Sequence, residues 1–212
     1  MNTSVATRIS PNITTMIRID HSHVLALFHR YKADTPPNRK RALVRNACLA
    51  IQVHAQLEEE IFYPAMRNVL SGDEVLEKSE PEHQEMRKII DELRAMTSGE
   101  GAVIDASCDE KFFALMRLVI HHVADEETKL LPAAERLLGD RLAELGMEMT
   151  RRRVELMRPY AGEFAANTVR SFPVGAAAGA TLLTAGVLAL GAIAFARQKG
   201  GRGASRWSRP GR

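Results

Sequence analysis

Thiols are scarce in this chain: its 212 residues include two cysteines, Cys48 and Cys108, far apart and without CxxC spacing. That excludes a disulfide framework or a zinc ribbon, disfavours copper(I) and iron–sulfur clusters, and fits a reducing cytosol, with Cys48 as a small core residue. No apolar stretch near Met1 has the form of a signal peptide. Strand-like alternation of useful length is missing as well, and so is an H-E-x-x-H zinc-protease motif. Acidic residues run out toward one end. Residues 161–212 hold seven of the 29 basic residues and one of the 26 acidic ones, Glu163. Residues 1–160 therefore carry 22 basic against 25 acidic groups, a net −3, although the whole chain is +3. The excess of positive charge belongs to the tail, so no nucleic-acid partner is expected for the globular part.

What the sequence does have is a motif that occurs twice. His54 is followed four residues later by Glu58, then Glu59, and ten residues after the His by Pro64-Ala65. His122 is followed in the same way by Glu126, Glu127 and Pro132-Ala133. On a helix, positions four apart lie one above the other, so each copy can aim an imidazole and a carboxylate at one point. The face through the first copy reads Ala47, Ile51, His54, Glu58, Phe62, and through the second Leu115, Val119, His122, Glu126, Leu130. Both place ionisable groups in an apolar stripe, where they are costly unless paired or bound to metal. Two such helices facing each other offer two His and two Glu, a set suited to a pair of borderline-hard metal ions. A buried His–Glu hydrogen bond within each helix is the plainer alternative.

Around these copies the chain reads as helices. Residues 1–12 are polar and expected to be disordered. Residues 13–31 put Ile17, His21, Val24 and Phe28 on one face, with His23 and His29 to either side as surface or boundary positions. Periodicity favours His21 over His23 as the inward histidine without deciding between them. Pro36-Pro37 marks a break. A helix over about residues 39–69 carries the first copy, and Pro64 inside it should kink or end a segment. The third helix, about 73–96, has Val75, His83, Met86, Ile90 and Leu93 in phase. After a glycine-containing loop, a fourth helix over about 109–138 carries the second copy. His121 faces some 100° away from His122 and reads as a supporting or surface residue. Gly139 ends that helix, and a short basic helix over 141–157 follows. Four amphipathic helices with connections of a few to about a dozen residues predict an all-α, up-down-up-down four-helix bundle over residues 13–138.

A segment different in kind follows a basic helical linker over 139–171. Residues 172–196 contain no charged residue, enough to cross a bilayer. Gly175-x3-Gly179 within it suits close helix contact and a homo-oligomer. A transmembrane helix is expected there, with a buried or oligomerising helix as the alternative, and 197–212 forms a basic tail. Both flanks are basic, so charge counting leaves orientation open. The bundle is expected on the cytoplasmic side because the anchor comes last.

Asp20-His21, His54-x3-Glu58-Glu59 ending in Tyr63-Pro64, Glu82-His83, and His122-x3-Glu126-Glu127 ending in Leu131-Pro132 together resemble the hemerythrin-like HHE domain family. The resemblance covers about residues 13–138 and implies a bundle holding a non-haem di-iron centre. It implies His21, His54, His83 and His122 as terminal ligands of two iron ions, with Glu58 and Glu126 bridging. Glu59, Glu127, Arg87 and His121 are expected to support those ligands. Oxygen-carrying hemerythrins place a second His one turn after the third-helix ligand, where this chain has Arg87, which cannot become a ligand. Arg87 is expected to point outward from the bundle's edge. The missing imidazole predicts fast autoxidation, with sensing or redox chemistry favoured over reversible oxygen carriage, and the expected function is binding or sensing of O2, nitric oxide or iron. A di-iron redox enzyme or a repair protein of nitrosative and oxidative stress is the alternative function, and no residue is assigned a catalytic role.

Overall fold

The computed structural model describes residues 11–99 and 104–171, whose regular structure is helical throughout, with no strand among them. Helix α1 spans Ile13–Arg30 and starts where Asn12 Oδ1 accepts the Thr15 N–H at 2.8 Å. Asn12, assigned from sequence to the N-terminal arm, is thus the cap that fixes the first turn. Helix α2, Pro37–Leu57, opens with proline at its first position, where the missing N–H costs nothing. It continues through a π-helical turn, Glu58–Phe62, into α3, Tyr63–Arg67. Helix α4, Glu74–Met96, is capped by Asp73, and α5, Ala106–Asp125, by Asp105. A second π turn, Glu126–Leu130, leads into α6, Leu131–Leu137. Helix α7 spans Arg141–Met157, and a short 3₁₀ turn, Arg158–Tyr160, joins it to α8, Ala161–Ser171.

Helices α1 and α2 pack together, as do α4 and α5, and α2 also meets α4, which makes a helical bundle. Its interior falls into two apolar clusters. One gathers Ile13, Ile17, Leu57, Phe62, Met66, Leu76 and Leu131. The other gathers Leu27, Phe28, Leu43, Ile90, Phe112 and Leu115. On α1 and α4 the buried histidine separates residues of one cluster from those of the other, and on α2 and α5 it lies where the two clusters meet.

The stretch 139–171, expected from sequence as a basic linker, is packed onto the bundle. Helix α7 lies against α1 and α2, and α8 lies along α2. Leu145 and Met149 of α7 are buried in the first cluster. Their stripe is sparse and set among charged residues, which makes it easy to read as a solvated face. Some charges of this stretch tie it to the bundle, Arg152 of α7 pairing with Glu60 and Glu163 of α8 with Arg45.

The expected transmembrane segment 172–196, with Gly175 and Gly179, and the tail 197–212 lie outside the described residues. Among the described residues, no helix is long and apolar enough to cross a membrane.

Candidate metal centre

Four helices deliver the histidines to one level: His21 from α1, His54 from α2, His83 from α4 and His122 from α5, each almost wholly buried. Glu58 and Glu126, the first residues of the two π turns, are fully buried beside them. His54 Nε2 lies 3.2 Å from Glu58 Oε2, and His21 Nε2 lies 3.2 Å from Glu126 Oε2. On the other side, His83 Nε2 is 3.6 Å from Glu58 Oε2 and His122 Nε2 is 3.5 Å from Glu126 Oε2. Donor atoms of His21, His54, Glu58 and Glu126 fall within 4.8 Å of one another, and so do those of Glu58, His83 and His122. Glu58 belongs to both groups.

The opposite face of each imidazole is tied to a carboxylate from a different helix. His21 Nδ1 lies 2.8 Å from Glu127, His54 Nδ1 3.3 Å from Asp20, His83 Nδ1 2.9 Å from Glu59, and His122 Nδ1 2.8 Å from Glu82. A carboxylate at Nδ1 fixes the proton there and leaves Nε2 as a lone pair facing inward. The pairs obey an approximate two-fold relation. Exchanging α1 with α4 and α2 with α5 turns His21–Glu127 into His83–Glu59 and His54–Asp20 into His122–Glu82.

Without a cation this arrangement is poorly satisfied. His21 Nε2, His54 Nε2, Glu58 Oε1 and Glu126 Oε2 are buried and have no hydrogen-bond partner. His83 and His122 bring their Nε2 atoms to 3.0 Å of each other. Buried polar atoms left unpaired are expensive, and here they converge. Nitrogen and carboxylate oxygen donors without a thiolate suit iron, and both cysteines lie in the second apolar cluster, away from the donors. The residues fit the metal.

Electrostatics agree. Burial pushes the Glu58 carboxyl well above the ordinary range, and the neighbouring Glu126 adds to the effect. Burial also opposes ionisation of Glu126, but His122 and His21 outweigh it and hold Glu126 well below that range. Burial, helped by His21, drives His54 down to about 4 against the pull of Asp20. His83 is lowered chiefly by burial, whereas for His21 burial is outweighed by Glu126 and Glu127 and the ring is raised.

Of the supporting residues expected from sequence, Glu59 and Glu127 are at the histidines. Arg87 sits at the bundle's edge, its Nη2 2.8 Å from Glu59 Oε1, and so meets the centre only through that carboxylate. His121 is 72 % exposed and faces Asp125, outside the cluster. His29 is exposed, and His23 lies beside Phe164 of α8, so α1 contributes His21. Sequence reasoning named Tyr63 only as part of the motif and gave it no role in the site. Its hydroxyl is buried between the halves, 2.9 Å from Glu126 Oε1, 3.3 Å from Glu58 Oε2 and 3.4 Å from His83 Nε2. Burial and the two carboxylates push its pKa well up, so it stays a hydrogen-bond donor. In the second copy Leu131 stands at this position, and that difference was the available signal. Asp20 and Glu82 were visible only as neighbours of histidines.

Buried imidazoles converging with two carboxylates, each ring backed by a further carboxylate, define a metal-binding helical bundle. The model of the hemerythrin HHE cation-binding domain matches residues 12–134, and the chain belongs to that family. It is accordingly a non-haem iron-binding protein with a His/Glu cluster. A curated relative, described as a DNA nickase from Nostoc sp., is 26 % identical over 133 residues, 63 % of this chain and 36 % of the relative. The chain therefore spans well under half the length of that protein. No solved structure matches the chain.

Proposed function

We propose that the centre holds two iron ions, one near His21 and His54 and one near His83 and His122, with Glu58 and Glu126 between them, in an up-down-up-down arrangement of α1, α2, α4 and α5. The iron pair would supply open coordination positions and redox capacity. In this reading the protein binds or senses a small ligand such as O2 or nitric oxide. The observation that carries it is a cavity of ≈ 10 Å³ at the histidines, otherwise lined by Val24, Ile51, Ala55, Met86, Val119 and Val123. A space of that size admits about one water-sized molecule, and its aliphatic wall favours an apolar diatomic over a charged substrate. Arg87, at the position where oxygen carriers have a further His, leaves one side of the centre without that imidazole.

Purified full-length protein from iron-replete cells should contain about two irons per chain. His54→Ala and Glu126→Ala should lower the content, and His29→Ala at the exposed position should not. The reduced protein should change its absorption spectrum on adding nitric oxide under anaerobic conditions. Stoichiometric zinc without iron sinks the di-iron reading, and iron-loaded protein indifferent to nitric oxide sinks the ligand reading.

One observation favours turnover as a second reading. Tyr63 places a protonated hydroxyl among both carboxylates and His83, a donor available to a reacting ligand. Sustained consumption of peroxide by the loaded protein would favour that reading. The uncharged residues 172–196 support the further proposal that the bundle is anchored to a membrane, on its cytoplasmic side.

A further inference from the structure

Each carboxylate that backs a histidine also meets a cation. Glu127 pairs with Arg18 at 3.1 Å and Glu59 with Arg87 at 2.8 Å, while Lys78 stands 3.8 Å from Glu82. Those three cations lie within residues 12–134. The fourth does not. Asp20 is gripped by Arg153 of α7, whose Nη2 lies 2.5 Å from Oδ2 while Nη1 bonds Oδ1. The Arg153 side chain is 15 % exposed, under half the exposure of the Arg18 side chain at 36 %. The oxygen it holds, Asp20 Oδ2, is also the one facing His54 Nδ1.

That His54 contact, at 3.3 Å, is the longest of the four between histidine and carboxylate, so the ring's orientation depends most on where its carboxylate is held. A planar fork bound through both nitrogens restrains a carboxylate in position and in rotation, which a single ammonium contact does not. Helix α7 is in turn seated by Gly146, whose backbone runs against Pro11 and Asn12 at the start of α1, and by Leu145 and Met149 in the core.

We infer that Arg153 is a positioning residue of the metal centre: through Asp20 it fixes the His54 ring, so that α7, outside the family-matched region, determines how firmly the His21/His54 half retains its metal. The inference rests on the reading of the centre as an iron site. A bare docking ion pair for α7 would have the same contacts but would leave metal retention alone.

The test uses the full chain and four variants: Arg153→Met, which keeps the stem and removes the fork; Arg153→Lys; Asp20→Asn; and Arg153→Met with Asp20→Asn. Iron loss is followed against increasing chelator, and the ring nitrogen resonances of His54 are followed in the metal-free protein. Arg153→Met should release about half of the iron at roughly tenfold lower chelator, the lower end of what outer partners of metal ligands contribute. Asp20→Asn should do the same, Arg153→Lys should fall between, and the double variant should be no weaker than Asp20→Asn alone. The His54 resonances should shift in Arg153→Met. Unchanged iron retention with only a lower melting temperature overturns the inference, as does full additivity in the double variant or an unmoved His54 spectrum. Wild-type protein that retains no iron would instead overturn the reading of the centre, and metal-free His54 resonances that Arg153→Met leaves in place would overturn the inference separately.

Discussion

At each of the four histidines the two ring nitrogens have different tasks: Nδ1 is committed to a carboxylate, and Nε2 is kept for the centre. Burial of the rings has a cost that shows when metal is removed. His54 in the folded protein is driven by burial down to about 4, below its ordinary 6.5. Between those values the unfolded chain binds a proton that the folded chain refuses. Its contribution is therefore intact above about pH 6.5 and is lost as pH falls toward 4, a change of about 3 kcal/mol at most. Urea unfolding of chelator-treated protein should show stability falling over this interval, and His54→Gln should flatten part of the fall. Identical pH dependence in the two proteins removes His54 as its source. Tyr63 acts at the same scale. It is the side chain that breaks the two-fold relation, since its counterpart Leu131 can only pack.

At the scale of the element, the repeated motif makes a repeated distortion. Each buried glutamate of the cluster opens a π turn in which an N–H reaches back five residues, Tyr63 to the Glu58 carbonyl and Leu131 to that of Glu126. Pro64 and Pro132 follow directly, and the one-residue slip absorbs the N–H that proline lacks. The sequence rule anticipated a kink or an end at Pro64; it could not say that the helix would shift register and go on. The histidine face was legible because buried ionisable groups in an apolar stripe violate a strong expectation. Asp20, Glu82 and Tyr63 were not, because their roles depend on partners from other helices, and periodicity within one helix does not show those. Helix α7 was placed by its pattern, but its docking was hidden by charge. Gly146 is the tightest point of that docking, since a Cβ there would stand 2.2 Å from the Pro11 carbonyl oxygen. Gly146→Ala must displace backbone, and it should cost about 1–3 kcal/mol by the rule for overpacked contacts. Thermal unfolding checks this. A melting temperature equal to wild type would mean that α7 is not held at the Pro11–Asn12 crossing.

For the whole molecule, the candidate centre lies between two apolar clusters and draws its His and Glu residues from positions 21 to 126, while the packing around it extends through α8 to Ser171. Arg39 Nε donates to the Ser171 carbonyl at 3.1 Å, so the helical layer is tied back to α2 at its last described residue. The candidate ligands and Arg153 all precede residue 172. The chain beyond it has a different chemistry: 25 positions without charge, then six basic residues and no acidic one. Two forces could hold such a tail to a membrane, and salt separates them. Attraction of the basic residues to anionic lipid is screened over about 8–10 Å at physiological ionic strength, whereas burial of an uncharged helix in hydrocarbon is not. Full-length protein should therefore fractionate with membranes, resist extraction by about 1 M salt and leave them in detergent. Protein ending at residue 171 should stay in the soluble fraction with its iron content unchanged. Release of the full chain by salt alone would reduce the anchor to a peripheral electrostatic contact, and loss of iron from the shortened protein would place part of the metal centre's support beyond α8.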